Sequence, residues 1–420
     1  MTPRATSLSR RAFASGLALA PTGALATMHP AQPRSDGLLA FAADAPAPID
    51  LHALLHAPLR VRAVELWRMP QSDAHLVRVV SEDGVEGVVR ASTKAAQTSQ
   101  FFALFVVPHL VGADVRDLHR LLEARYRSDY EYAGLPWWSA WGQAEIAVWD
   151  MIGKTLGRRC CDLFGPVQRE RIAIYLSSNR RDTTPEQEIA LLEARVAETG
   201  ARAIKLKIGR RMGRNVDAAP GRSEAMIARA RRTFGESMTI YADANGAYDA
   251  PTAIAVTHML KHYGVDLLEE PCPFEDFEMT AQAAAGAAIK IAGGENDYAF
   301  ERWRWYCARG VFDVVQPDLM YNGGALRCIG VQRMARVAGL GFAPHFPRNN
   351  ADCAPMLHLC AGADNLYGFQ EYRARPDALD YAHAPAMAPV GGELAVPPGP
   401  GWGVAFDPAL WRTATRIVPA

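Results

Sequence analysis

The chain has 420 residues, of which 49% are hydrophobic, and its 45 Lys and Arg residues balance its 45 Asp and Glu residues. This length predicts two domains, or one large barrel with additions, and the apolar content suffices for a substantial core. A balanced charge provides no bulk field for nucleic acid or an anionic membrane, so neither is expected as a partner and a small molecule is favoured.

Residues 1–44 predict an export signal followed by a linker. Arg10 and Arg11 precede a short, mildly apolar run, and Ala24-Leu25-Ala26 has the small-x-small form of a cleavage site. This pattern resembles a twin-arginine signal and predicts a periplasmic or secreted protein; a disordered basic leader on a cytoplasmic protein is the alternative. Twin-arginine export moves folded proteins, so the seven cysteines, which form no Cys-x-x-Cys pair, are expected to stay reduced.

Residues 45–170 predict a separate α+β domain. Three segments alternate apolar and polar residues, as in an antiparallel meander: Val61–Trp67, His75–Val80 and Gly87–Ala91. Two segments with helical periodicity follow: Ala113–Tyr126 and Trp138–Leu156. A sheet followed by helices is typical of an α+β unit.

Residues 171–384 predict a barrel, because short apolar runs alternate with helical segments. The expected strands are Arg171–Leu176, Ala203–Ile208, Met238–Asp243, Val265–Glu269, Ala288–Ala292, Phe312–Gln316, Gly341–Ala343 and Leu366–Phe369. The expected helices include Pro185–Thr199, Ser223–Phe234, Pro251–Tyr263, Tyr298–Arg309 and Gly324–Ala338. Eight parallel strands joined in this way close on themselves. Residues 385–420 are rich in Gly and Pro and are expected to return to the first domain.

Three carboxylates recur at equal intervals, each at or just beyond the end of an expected strand: Asp243, Glu269 and Glu295. The C-terminal ends of consecutive barrel strands meet at one rim, so these acids are expected to be neighbours. Packed carboxylates repel one another unless a cation lies between them, and an oxygen-only set favours Mg²⁺ over zinc. The sequence therefore predicts a magnesium site.

Two lysines in the second barrel strand predict a general base beside this site. Lys205 and Lys207 share one face of the strand, where burial and mutual repulsion are expected to lower the pKa of an amine; solvated lysines on an edge strand are the alternative. Asp318 and His345 follow the sixth and seventh strands, where the carboxylate can hold one ring nitrogen and leave the other to take a proton. Lys207 and His345 then lie on opposite sides of the acids, and either could remove the α-proton of a metal-bound carboxylate.

Together these motifs resemble those of the enolase superfamily, in its mandelate racemase-like subgroup. The residues that carry the likeness are Lys205-x-Lys207, Asp243-x-Asn245, Glu269-Glu270-Pro271, Gly294-Glu295-Asn296, Asp318, His345 and Pro400-Gly-Trp-Gly403. The resemblance implies a (β/α)7β barrel with an N-terminal α+β capping domain that the C-terminal segment completes. Assembly as a homo-oligomer is also expected.

The resemblance implies a role for each site residue. The ligands of Mg²⁺ would be Asp243, Glu269 and Glu295. The two acid/base residues would be Lys207 and His345, with Asp318 orienting the imidazole. Lys205 and Asn245 would contact the substrate, and Lys205 would also depress the pKa of Lys207. Glu371, at the expected end of the eighth strand, would be an electrophilic acid near the substrate carboxylate.

Substrate choice in this family involves the capping domain, and two of its loops are candidates here: Trp67–Asp73 and Tyr126–Trp137. Both mix aromatic and polar side chains, as a pocket for a polyhydroxylated acid would. The Arg210–Arg214 loop is longer than the family pattern suggests. We interpret its arginines as solvated charge, with binding of a distal carboxylate as the alternative.

The expected activity is dehydration of an acid sugar, an aldonate or aldarate. Lys207 or His345 would remove the α-proton, and the β-hydroxyl would then leave. A racemase or epimerase that uses the same two bases is the alternative. Cycloisomerisation is disfavoured, since relatives of that kind carry a lysine where Asp318 stands. A binding protein that keeps the fold without turnover is a third hypothesis, which the intact bases and acids disfavour.

Overall fold

The computed structural model describes residues 48–70, 74–375 and 383–418. The twin-arginine stretch therefore lies outside the described residues. Within the described ranges, no helix is both long and apolar enough to cross a bilayer.

The first part of the chain forms a small antiparallel sheet covered by helices. After the short helix α1 (Leu51–Leu54) come the strands β1 (Val61–Arg68), β2 (His75–Ser81) and β3 (Glu86–Arg90). The helices that follow are α2 (Ala95–Phe101), α3 (Val107–Leu110), α4 (Leu118–Ser128), α5 (Leu135–Leu156) and α6 (Cys160–Phe164). The expected meander and the two expected helical segments are present.

Helices α2 and α3 were not predicted, and Pro108 lies in the first turn of α3. A π-helical turn, Phe102–Val106, joins the two helices into one irregular rod. The amide of Val107 donates to the carbonyl of Phe102 there. Proline has no amide hydrogen and crowds the preceding turn, so a locally widened helix accommodates it.

Helix α5 joins the small sheet to the rest of the molecule. It ends at Gly157, which adopts the left-handed conformation at φ 62°. Glu145 on α5 accepts hydrogen bonds from the amides of Ala325 (2.7 Å) and Leu326 (3.0 Å). Asp150 accepts from the amide of Val88 at 2.9 Å on the sheet side. Buried carboxylates therefore tie this helix to its neighbours on two sides.

The central part of the chain is a parallel barrel. Its strands are β4 (Arg171–Ser177), β5 (Ala203–Lys207), β6 (Thr239–Asp243), β7 (Leu267–Glu269), β8 (Lys290–Gly293), β9 (Val314–Val315), β10 (Gly341–Phe342) and β11 (Gln370–Arg373). Its helices are α7 (Pro185–Thr199), α8 (Arg222–Phe234), α9 (Ala250–His262), α10 (Phe277–Gly286), α11 (Phe300–Arg309), α12 (Ala325–Val337) and α13 (Ala354–Gly362). The order β10-β9-β8-β7-β6-β5-β4-β11 is parallel throughout, and a bridge between Phe342 and Leu366 completes the circle. This is the expected (β/α)7β architecture.

The position of the eighth strand differs from the prediction. The strand is Gln370–Arg373 and not Leu366–Phe369. Gly368 adopts φ 47° within the predicted segment, and such a residue interrupts extended backbone. Leu366 accordingly makes only the isolated bridge to Phe342. Glu371 therefore lies within the strand.

The C-terminal segment contacts both the barrel and the small sheet. Its elements are β12 (His383–Ala384), β13 (Glu393–Ala395), β14 (Ala405–Phe406), α14 (Leu410–Thr413) and β15 (Thr415–Val418). Strand β13 pairs with β4 of the barrel, and β15 adds an edge to the small sheet by pairing with β1. The exact division of the chain at residues 44, 170 and 384 stays a prediction.

Candidate active site

Strand register places the predicted acids side by side. Asp243 pairs with Glu269 on the neighbouring strand, and Lys207 pairs with Asp243 on the other side. One carboxylate oxygen from each of Asp243, Glu269 and Glu295 lies within 4.8 Å of the others. All three side chains are buried. Inward-facing positions alternate along each strand, so the acids occupy the layer directly above an apolar layer that includes Tyr241 and Leu267.

The backbone turns sharply where the acid-bearing strands end. Asn245 and Glu270 adopt φ 42° and 44°, which is uncommon for residues other than glycine. The amide of Asn245 donates to Asp243 Oδ1 at 2.9 Å, and Asn245 Nδ2 donates to Glu270 Oε2 at 3.1 Å. Gly294 adopts φ 104°, and a Cβ there would lie 2.1 Å from the ring of Trp303. These turns set the direction in which each carboxylate enters the site.

Both predicted lysines point into the barrel. Lys205 Nζ donates to the two oxygens of Glu269 at 2.9 and 2.7 Å and lies 3.4 Å from Glu371 Oε1. Lys207 Nζ donates to Asp243 Oδ2 and, at 3.3 Å, to Asn245 Oδ1. Both lysines therefore lie on the interior face, as predicted. The alternative, solvated lysines on an edge strand, is wrong.

The expected fall in the pKa of a buried lysine does not occur at Lys205. Burial lowers the pKa of this ammonium, but Glu269 and Glu371 raise it well above its ordinary value. Conversely, burial raises the pKa of Asp243, and Lys207, Lys205 and Arg181 together hold it below its ordinary value. Carboxylates thus dominate the electrostatics of this site, and the mutual repulsion of the lysines is the smaller effect.

Asp318 and His345 form the predicted pair. Their backbones make a parallel bridge just beyond β9 and β10, and His345 Nδ1 lies 2.7 Å from Asp318 Oδ2. His345 Nε2 faces the site, at 3.2 Å from Glu295 Oε2 and 3.5 Å from Glu371 Oε2. Burial lowers the pKa of His345, but Glu295 and Glu371 raise it to about 10. The imidazole is therefore protonated in this arrangement.

Glu371 reaches the site from β11. Ser177 Oγ donates to its Oε1 at 2.7 Å. Burial raises the pKa of Glu371, but Lys205 and His345 lower it to about 2. An ionised carboxylate accepts hydrogen bonds and donates none. The role of an electrophilic acid, which the resemblance implies, requires a proton that these neighbours disfavour.

The three-acid cluster fits a hard divalent cation. Its donors are all carboxylate oxygens, which is the ligand type that Mg²⁺ prefers. Glu295 Oε2 is buried and, in the part of the chain that the structure describes, forms an ion pair with His345 Nε2 at 3.2 Å but accepts no well-aligned hydrogen bond. Buried polar atoms are normally hydrogen-bonded, so this oxygen can still serve as a ligand.

Two further side chains support the site and were not predicted. Gln316 Nε2 donates to Glu269 Oε2 at 2.9 Å. Arg181 Nε donates to the carbonyl of Gly209 at 2.8 Å, and its Nη2 donates to that of Asp243 at 3.2 Å. The position of Gln316 at a predicted strand end could have suggested it. Arg181 lies in a loop without a motif, far along the chain from its partners.

A cavity of about 670 Å³ opens above the cluster. Lys207, His345 and Glu371 line its buried part, and Asn245 also contributes to its wall. Among the described residues of the two loops proposed for substrate choice, only Leu135 lines this cavity. Trp67, in the first loop, packs on Trp411. Gln71, Ser72 and Asp73 of the first loop lie outside the described residues. The cap contributes Thr93 and Lys94, which were not predicted.

Two family models match the chain. Residues 187–410, more than half of its length, match the enolase C-terminal domain-like model. Residues 56–165 match the N-terminal domain of mandelate racemase and muconate lactonizing enzyme. These matches cover both the barrel and the helical and sheet unit before it.

Similar proteins include two that are named D-galactonate dehydratase. The one from Ralstonia nicotianae is 28% identical over 375 residues, which cover 86% of this chain and 96% of the relative. The one from Xanthomonas euvesicatoria pv. vesicatoria is 30% identical over 323 residues, which cover 74% and 82% respectively.

Solved structures share the fold. A mandelate racemase/muconate lactonizing protein from Paracoccus denitrificans, complexed with magnesium, has a TM-score of 0.78 and 24% identity, covering 86% of this chain and 99% of that one. The 3,6-anhydro-D-galactonate cycloisomerase from Zobellia galactanivorans has a TM-score of 0.73 and 23% identity, covering 86% and 100%. The chain belongs to the enolase superfamily, in the group of mandelate racemase and muconate lactonizing enzyme.

Proposed function

We propose that the protein is a Mg²⁺-dependent dehydratase of acid sugars, acting on an aldonate or an aldarate. The observation that carries this proposal is the position of Lys207 and His345 in one cavity with the three-acid cluster. The two relatives named D-galactonate dehydratase, which this chain covers over 96% and 82% of their lengths, support the same reaction class.

Asp243, Glu269 and Glu295 would hold the Mg²⁺. When bound, the ion supplies positive charge that stabilises the negative charge developing on the substrate carboxylate as the α-proton leaves. Glu295 and Glu371 both lie within 3.5 Å of His345 Nε2, so the same group of side chains also sets the charge around the imidazole.

Lys207 and His345 carry the proton transfers. One of the two, with its nitrogen unprotonated, takes the α-proton, and the electrons of the C–H bond move toward the carboxylate. As they return, the bond from the β-carbon to its hydroxyl breaks, and a protonated base donates to the leaving oxygen, which departs as water. His345, whose Nδ1 is held by Asp318 so that Nε2 faces the cavity, suits the role of this acid in its protonated form. The enol that remains becomes a 2-keto-3-deoxy acid, and no oxidant or reductant is required.

Racemisation or epimerisation is the second candidate. Lys207 reaches the cavity from β5, and His345 reaches it from beyond β10 on the other side of the acid cluster. Bases on two sides of one carbon can remove a proton from one face and return it to the other. This chemistry needs no leaving group.

A library of aldonates and aldarates, assayed with and without Mg²⁺, tests the proposal. We expect a keto acid product from at least one member, only with Mg²⁺. We expect Lys207→Ala and His345→Asn to reduce kcat at least about a hundredfold, which is the low end for loss of an acid or base. Lys261→Ala, at an exposed position of α9, is the control.

Heavy water separates the two candidates. Exchange of the α-hydrogen with inversion, but without loss of water, would select the racemase or epimerase. Turnover that survives both substitutions at the wild-type rate would contradict either mechanism. Ligand binding by the wild type without turnover of any library member would favour a protein that only binds its ligand.

We also propose that the protein is exported by the twin-arginine route. Arg10 and Arg11 support this. The seven cysteines, all buried free thiols in the described structure, are compatible with export of the folded protein. Cell fractionation tests it: Arg10→Lys with Arg11→Lys should retain the protein in the cytoplasm, and export of this double variant would contradict the proposal. Assembly as a homo-oligomer is a further proposal, which sedimentation velocity tests.

A further inference from the structure

The charged residues of the active-site cavity separate into two groups. The acids in its wall, Glu270, Glu295 and Glu371, are all buried. Lys94 and Arg211 also line the cavity, but their side chains are exposed, so they lie toward its mouth. The buried end therefore combines both signs of charge, whereas the charged residues that line the exposed end are cations.

Lys94 and Arg211 keep their charged groups available to a ligand. Across the described ranges, neither side chain makes an ion pair or a hydrogen bond with another residue, and the hydrogen bonds of Lys94 involve its backbone. The neighbouring Arg210 lines a separate cleft with Arg181 and Asp217, on the other side of the loop. Of these two adjacent arginines, only Arg211 therefore contributes to the substrate cavity.

The loop that carries Arg211 is held in one conformation. Met212, Arg214 and Asn215 adopt φ values of 51°, 50° and 69°, in the left-handed region that strains a residue other than glycine. Hydrogen bonds offset this strain. The amide of Met212 donates to the carbonyl of Asn245 at 3.0 Å, and Asn215 Nδ2 donates to Asp249 Oδ2 at 2.8 Å. The backbone beside Arg211 is thus fixed at the cavity rim.

Strand β11 extends the cationic wall toward the acid cluster. Arg373 lies two residues beyond Glu371 on the same face of the strand and also lines the cavity. Two residues along a strand correspond to about 6.6 Å. An extended six-carbon acid is about as long as this spacing, so with one carboxylate at the acid cluster it extends past Glu371 into the outer part of the cavity, whose wall Lys94 and Arg211 also form.

We propose that the substrate carries a second carboxylate at the end distal to the acid cluster, bound by Arg211 and Lys94, so that aldarates are preferred to aldonates. This inference rests on the proposed function. Arginine presents a planar pair of donors that matches a carboxylate, and a charge-assisted hydrogen bond is stronger than a neutral one. A terminal hydroxymethyl group, as in an aldonate, would leave these cations without an anionic partner. Arg211 would then bind the substrate, whereas the other arginines of the Arg210–Arg214 loop stay interpreted as solvated charge.

Matched substrate pairs test the proposal. For an aldonate and an aldarate of the same configuration, we expect the wild-type kcat/KM ratio to favour the aldarate. Arg211→Gln should lower this ratio about 10- to 100-fold, and Lys94→Gln should lower it less, since an ammonium offers no bidentate contact. Arg210→Gln is the matched control and should leave the ratio unchanged. Circular dichroism and Tm of each variant establish that it is folded.

Several outcomes would overturn the inference. If Arg211→Gln and Arg210→Gln change the aldarate-to-aldonate ratio of kcat/KM equally, Arg211 does not recognise the distal carboxylate. A wild-type preference for aldonates would contradict the inference while leaving the dehydratase proposal intact, whereas no turnover of either class would count against the dehydratase proposal itself. A higher kcat/KM for a 6-phosphoaldonate than for the aldarate would show that the cations select phosphate and not carboxylate.

Discussion

Asp318 holds His345 by its Nδ1 atom at 2.7 Å, across the bridge that joins the chain beyond β9 to the chain beyond β10. The other oxygen of Asp318 accepts from the amides of Met320 (2.7 Å) and Tyr321 (2.8 Å), which fixes the carboxylate itself. The proton on Nδ1 therefore faces Asp318, and Nε2 is the nitrogen that exchanges protons with the cavity.

Replacing Asp318 by Asn should impair catalysis with little change in shape. The amide oxygen can still accept from the backbone, but an amide NH₂ facing Nδ1 favours the opposite tautomer of His345. We expect kcat to fall about 10²- to 10⁴-fold, the range for loss of a positioned acid or base. Steady-state kinetics measure this, and Mg²⁺ affinity serves as the control. A change in kcat of less than threefold would contradict the role.

Mg²⁺ should stabilise the protein through Glu295. An ion that binds only the folded state at a hundredfold excess over its Kd raises the free energy of unfolding by about 2.7 kcal/mol. Glu295→Gln should lose most of this gain, because an amide is a poorer ligand and carries no charge. Urea unfolding with and without Mg²⁺ measures the difference, with the exposed Glu278→Gln as control. An equal Mg²⁺ gain in both variants would exclude Glu295 as a ligand.

Arg181 should position the ends of β5 and β6. Its guanidinium donates to the carbonyls of Gly209 (2.8 Å) and Asp243 (3.2 Å) and to Asn245 Oδ1 (3.0 Å). Lysine at this position carries one nitrogen and cannot reach all these acceptors. We expect Arg181→Lys to lower kcat about tenfold or more and stability by about 1–2 kcal/mol.

Arg180→Lys is the matched control for Arg181→Lys, because Arg180 pairs only with the exposed Asp182 among the residues described. It should change neither kcat nor stability. Equal effects of the two substitutions would mean that Arg181 does not act on the strand ends.

His358 should make the fold sensitive to acid. Its Nε2 donates to the carbonyl of Trp402 at 3.0 Å, and its Nδ1 accepts from the amide of Cys161 at 3.2 Å, so the ring is neutral. Burial lowers its pKa from 6.5 to about 4. The unfolded chain therefore binds a proton more readily than the folded one. The contribution of His358 to the free energy of unfolding is fully present above pH 6.5. It falls by about 3 kcal/mol as the pH drops to 4.

His358→Gln should reduce this dependence on pH. Urea unfolding without Mg²⁺ at pH 7, 5.5 and 4.5 gives the slope for the wild type and the variant. The exposed His56→Gln is the control. If His358→Gln keeps the wild-type slope, the acid sensitivity arises elsewhere.

Much of the site could be predicted because strand ends in a parallel barrel share one rim. Asp243, Glu269 and Glu295 follow apolar runs at equal intervals, so the repeat of strand and helix alone brings them together. The same argument found Lys207, Asp318 and His345. Glu371 came from the family resemblance, and the strand expected to carry it was misplaced, because the backbone conformation of Gly368 is not visible in an apolar pattern.

The sequence by itself therefore determined the element order, the acid cluster and the two bases, since these depend on local periodicity and a repeated unit. Only the tertiary structure decided the electrostatics and the cavity wall. Lys205 forms ion pairs with Glu269 and Glu371, and Arg181 donates a hydrogen bond to Asn245. Lys94 and Arg211, which are far apart in the chain, line the same cavity. These contacts join residues far apart in the chain, so no local pattern encodes them. Charges respond to every neighbour in space, and for that reason the pKa of the buried Lys205 is raised, although burial alone would lower it.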